Sequence, residues 1–252
     1  MSDPAACNWC VAGLPPGIAA LNGVVQGLLV HSDWLTAYGL DEADYRGISR
    51  DTLAVADRLS AILAADPQEL QSPRPPARRA VGTCRDFALM LTAFLRSKTV
   101  PARVRCGFAD YFGPSWEDHW VCEYWDAPAR SWCLSDAQLD DVIVAERQIA
   151  FDPVDVPRSA FMTAGEAWLA CRAGQCDPAD FGHGDVRGAW FIGINVIRDH
   201  YVLNNHEIST WDGWRAAPLS DRLIREQERA WLDDLAARPE QPLVDITPHW
   251  MR

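Results

Sequence analysis

Gly82-Thr83-Cys84-Arg85-Asp86-Phe87-Ala88-Leu89-Met90-Leu91-Thr92-Ala93-Phe94-Leu95 is the stretch on which the reading of the chain turns. Thr83 followed three residues later by Asp86 is a capping-box pattern, the signature of a helix start. Phe87, Met90, Leu91, Phe94 and Leu95 then recur at helical spacing, so one face of that helix is apolar. Pro101 ends it. Three strand candidates follow at 102–108, 118–125 and 130–136, separated by Gly113-Pro114 and by Pro128. A helix followed by consecutive short strands predicts an α+β fold, with the helix packed on an antiparallel sheet.

Reading outward, the segment Asp66 to Arg79 carries Pro67, Pro73, Pro75 and Pro76 and is expected to be a surface linker. The residues before it read as helical. Ile18, Leu21, Val25, Leu28 and Leu29 fit one face, as do Leu53, Ala56, Leu59, Ile62 and Leu63. Downstream, helices are expected at 160–172, 187–203 and 220–237, with a Gly-rich break at 181–184. The expected organisation is one unit over 1–252. A helical extension and linker (1–80) precede a core (81–140), and a second helical extension (141–252) follows.

Composition bounds the function. Hydrophobic residues make up 48% and charged residues 23% of the chain, enough to build a core. A net charge of -12 argues against wrapping nucleic acid or docking broadly on anionic membrane. The 12 tryptophans are the unusual feature, and such aromatics build cores or line sites for organic ligands. No Lys or Arg precedes Arg46, and Pro15, Pro16, Asn22 and Gln26 interrupt the early apolar stretch. Neither a signal peptide nor a membrane span fits, so the expected location is cytoplasmic and the eight cysteines are expected to be thiols.

Cys84 falls in the first turn of the helix, where unpaired N–H groups and the helix dipole favour a thiolate. The same N–H groups can hold an oxyanion. A thiol nucleophile needs a base and a group to orient it. His119 lies on the second strand candidate, sharing a face with Val121 and Glu123, and Asp136 ends the third. Tyr111, Phe112 and Trp116 lie in the loop before His119 and are candidates to wall a substrate groove. Cys7 and Cys10 have C-x-x-C spacing, but one such pair is a weak metal signal, and no metal or cofactor is expected. Gly182-His183-Gly184 lacks the context of a phosphate loop.

Gly82 to Ala88, then Val100-Pro101-Ala102-Arg103, Asp118 to Val121, and Trp132-Cys133-Leu134-Ser135-Asp136 together resemble the transglutaminase-like core. Members of that superfamily carry the nucleophilic cysteine at a helix start, a Gly-(Ile/Val)-Pro-Ala-Arg turn, a histidine on the second strand and an aspartate on the third. The resemblance runs from Gly82 to Leu139. It departs at Thr99-Val100, where Gly-Ile is frequent, and at Asp136-Ala137, where Asp-Pro is frequent. It implies a papain-like fold, with Cys84 as nucleophile, His119 as general base and Asp136 as the orienting acid.

The expected activity is therefore cysteine-dependent acyl transfer on a peptide, protein or small-molecule amide, to water or to an amine. The alternative is a non-catalytic module that binds a peptide or protein on the same fold. Arg74, Arg78, Arg79 and Arg85 cluster in sequence near the helix start, which raises the expectation of an anionic acyl donor.

Overall fold

The computed structural model describes residues 2–3, 11–41, 50, 52–206, 208–209 and 224–243. The chain divides into two compact units. Unit 1 comprises residues 1–104 and 120–157, and unit 2 comprises residues 105–119 and 158–252. Cys7 and Cys10 and residues 220–223 of the last expected helix lie outside the described residues.

In unit 1, helix α1 (Ile18–Leu28) buries Leu21, Val25 and Leu28 of the predicted face and Val24 beside them, with Ile18 half-buried. Leu29 does not continue that helix. It opens strand β1 (Leu29–His31), which pairs in parallel with β2 (Ala80–Gly82). Helix α2 (Val55–Ala65) buries Val55, Leu59 and Ile62, and with them Arg58. Helix α3 (Cys84–Ser97) follows β2 directly and is buried from Arg85 to Leu95. All of its sides are covered, so its apolar stripe is only part of what it packs. Strand β5 (Ser131–Ser135) and helix α4 (Asp141–Arg147), which the sequence reading missed, complete unit 1.

Most of the proline-rich segment lies at the surface, as expected of a linker, but it is anchored at a few points. Leu70 and Arg74 are buried within it. The Arg74 guanidinium donates to the carbonyls of Asp66, Gln68 and Ser72, so one side chain gathers a turn-rich loop around itself. Proline content removes backbone donors, and the arginine answers the carbonyls that remain.

Strands β3 (Ala102–Ala109) and β4 (Trp116–Asp126) lie where the sequence places them, and each runs through both units. They belong to a six-stranded sheet with β6 (Phe161–Thr163), β7 (Phe181–His183) and β8 (Val186–Arg187). The strand order is β6-β3-β4-β7-β8, with β5 also on β4. The sheet is mixed, not antiparallel. β4 is long enough for its two ends to take different neighbours: Trp116 and Glu117 pair in parallel with Phe181 and Gly182, and Cys122 to Asp126 pair antiparallel with β5. The Gly-rich stretch read as a break is thus a strand, and the region after residue 141 supplies strands as well as helices.

Unit 2 contains helices α5 (Ala164–Arg172), α6 (Ala189–Leu203) and α7 (Glu226–Ala237). They pack on one another around Trp168, Ile192, Val196, Leu232 and Leu235, with Phe108 and Phe181 from the sheet. A buried fork fixes α6 to β3. Arg105 donates to Asp199 at 3.0 and 2.8 Å, and the Cys106 backbone N–H donates to the same carboxylate at 2.9 Å.

Candidate active site

Cys84 is the first residue of α3, and from Ala80 to Leu95 every residue except Cys84 is buried. A thiol in the first turn of an otherwise enclosed helix combines access with the positive end of the helix dipole. The capping box read from the sequence forms. Its Asp86 half is the firmer: Asp86 Oδ2 accepts the Thr83 backbone N–H at 2.8 Å and the Thr83 hydroxyl at 3.4 Å. A Cβ at Gly82 would crowd this pair, lying 3.0 Å from Asp86 Cβ and 3.1 Å from its Oδ2.

Asp86 is also the anion of a buried charge cluster. Its Oδ1 lies 3.2 Å from Arg58 Nη2 and 3.3 Å from Arg85 Nη1. The arginines expected to greet an anionic donor are committed to the fold instead. Arg85 is buried, with Nη1 also donating to the Leu53 carbonyl. Arg79 donates to the Arg74 carbonyl and pairs with Asp140 at 3.3 Å. Arg74 holds its loop, and only the Arg78 side chain is largely exposed, at 69%. The anionic-donor expectation loses its basis at Arg74, Arg79 and Arg85.

Asp136 follows β5 and is buried in unit 1. Its backbone N–H donates to the Pro153 carbonyl at 2.8 Å, and its Oδ1 accepts the Gln138 N–H at 3.0 Å. The second bond fixes the carboxylate plane. Along β4, burial runs unbroken from His119 to Tyr124, so the strand has no solvent face there. Glu123, on the same side as His119 by alternation, is neutralised by Arg103 at 2.6 Å.

His119 belongs to unit 2 and is itself buried. Tyr111 and Phe112 set their rings edge-on to the imidazole, at centroid distances of 5.8 and 4.8 Å. Such contacts restrict ring rotation, a useful property in a base. Trp116 behaves differently. It stacks on Phe181 at 5.7 Å and packs against the unit 2 core. Next to His119, burial pushes the Asp118 carboxyl above its ordinary value, against the pull of Arg198 at 3.6 Å.

Three of the five other described thiols are poor rivals to Cys84. Cys106 and Cys122 are fully buried, and burial pushes the Cys122 thiol up to about 12. Cys171 is pushed up to about 11, again chiefly by burial. Cys133 is half-buried because the strand emerges toward Ser131. Among the described residues, no group of three or more His, Cys, Asp or Glu side chains is arranged to hold a metal ion. Nor is any helix among them long and apolar enough to cross a membrane.

Residues 38–137 match the family model of the transglutaminase-like superfamily. This segment is a transglutaminase-like core. Searches of curated proteins and of solved structures returned no match. The transglutaminase-like core begins well before Gly82, the first residue of the resemblance read from the motifs. It therefore takes in α2 and Arg58, which the sequence reading had assigned to an extension. The signal for Arg58 was present in the chain: a lone arginine beside Leu59 and Ile62, on the buried face of an apolar helix.

Proposed function

We propose that the chain is a cysteine-dependent enzyme that transfers an acyl group from an amide to water, or to an amine that takes its place. The observation that carries this reading is the position of Cys84. It is the single accessible residue in a buried run, at the start of a capped helix, within a matched segment that also holds His119 and Asp136.

In the proposed reaction the Cys84 thiolate attacks the carbonyl carbon, and the oxyanion is held by N–H groups at the start of α3. His119 gives its proton to the leaving amine as the C–N bond breaks, leaving a thioester on Cys84. It then takes a proton from water, whose oxygen attacks the thioester. The acid leaves and the thiolate returns. Asp136 orients the imidazole and stabilises its protonated form. The β4–β5 register supports this role for Asp136. Cys122 lies opposite Ser135, so one further step sets Asp136 across from Val121, which shares a strand face with His119.

Tyr111 and Trp116 wall the acyl-donor site. Hydrolysis is the favoured outcome because water needs no second binding site, and the donor is a peptide, protein or small-molecule amide. His119→Ala should lower the acylation rate by at least about 100-fold, the usual scale of general acid–base catalysis. Asp136→Asn should lower it as well, by loosening the ring. Stopped-flow acylation of both folded variants checks this, and wild-type rates in either would refute the assignment.

A further inference from the structure

The guanidinium of Arg58 reaches from α2 to both sides of the turn that carries Cys84. Nη1 donates to the Val81 carbonyl at 2.7 Å, just before the turn. Nη2 lies 3.2 Å from Asp86 Oδ1, just after it. Nη2 also donates to the carbonyls of Thr52, at 2.8 Å, and Arg50, at 3.3 Å, which anchor it from behind. The side chain is 2% exposed, so these partners replace its water. One planar fork thus ties Val81 to Asp86, the residues on either side of Cys84 in the chain.

We infer that Arg58 is the positioning residue for the Cys84 nucleophile. It fixes the turn between β2 and α3, and its desolvated positive charge near the thiol favours the thiolate. This rests on the acyl-transfer reading above and assigns that site a residue outside the triad. Charged groups on every element packed against α3 bear on the thiol. α2 brings Arg58, its Asp57 being exposed, and α3 itself brings Arg85 and Asp86. α1 and β2 contain no charged residue. β4, which touches α3 where Thr92 donates to Cys122 Sγ, keeps Glu123 paired with Arg103. His119 enters only as the base of the acyl-transfer reading.

The test is the pH profile of Cys84 alkylation by iodoacetamide, followed by peptide mass spectrometry. It compares wild type, Arg58→Lys and Arg58→Met, each also in a His119→Ala background to remove imidazole titration. Lysine keeps the charge but cannot hold the Val81 carbonyl and Asp86 together. Arg58→Met should raise the midpoint of the profile by about one pH unit, the scale of losing a neighbouring charge. Arg58→Lys, the variant that retains a buried cation should methionine prevent folding, should slow alkylation at neutral pH by about threefold or more while remaining folded. A fast wild-type thiol with an unmoved profile in Arg58→Lys, whatever its melting temperature, overturns the positioning role and leaves the acyl-transfer reading intact. A wild-type Cys84 that reacts no faster than a simple thiol peptide overturns both.

Discussion

A thiol becomes a nucleophile through its surroundings, and the cysteines of this chain sort on that basis. Cys84 has backbone donors and access. Cys122 has neither, and its thiol is pushed up to about 12. Brief treatment with iodoacetamide near neutral pH should therefore label Cys84 first, with Cys106 and Cys122 silent until the protein unfolds. Peptide mapping reads this directly, and equal labelling would remove the basis for a nucleophile. Asp118 gives a second residue-level expectation. Its carboxyl is raised above its ordinary value by burial. The folded state therefore favours the protonated form, and its contribution to stability is full below the unfolded value of about 4 and is lost as pH rises through the folded one. Asp118→Asn should melt no lower than wild type near pH 7, and its relative advantage should vanish below about pH 4. A variant markedly less stable at neutral pH would mean that the Arg198 pairing outweighs burial.

At the scale of elements, the start of α3 decides the most. Thr83→Ala removes a 3.4 Å hydroxyl contact and should cost about 1 kcal/mol or less. Asp86→Ala leaves Arg58 and Arg85 buried without their carboxylate, and should cost about 3 kcal/mol or more. Urea unfolding of the two variants checks the order, and equal costs would contradict the buried cluster. This helix and strands β3, β4 and β5 were legible because each carries its own signal: a cap, a periodicity, a bounding proline. Strands β1, β2, β6, β7 and β8 were not. None exceeds three residues; β1, β2, β6 and β7 exist through partners distant in sequence, as Phe181 does through Trp116, and β8 only folds back on β7. The mixed character of the sheet was hidden for the same reason. A parallel pair needs a long crossover, and no local pattern announces which strand lies at its far end.

For the whole molecule, neither unit is a continuous piece of chain. Unit 2 borrows residues 105–119, and with them Arg105 for Asp199 and Glu117 for Arg187. A fragment of residues 158–252 would bury Asp199 without its arginine and should show no cooperative thermal transition. A sharp melt of that fragment would contradict the division. The same long-range logic separates what was legible in the site from what was not. Cys84, His119 and Asp136 stand in local motifs with known chemistry. Arg58 stands in none, and its meaning appears only where Val81 and Asp86 come together around it. The central claim, that Cys84 carries an acyl group during turnover, is tested most directly by intact-protein mass spectrometry after incubation with a panel of amide and thioester donors. The account predicts a mass increase equal to the acyl group, localised to Cys84, abolished by Cys84→Ser and accumulating far more slowly in His119→Ala. No adduct from any donor, or an adduct on another cysteine, would contradict it.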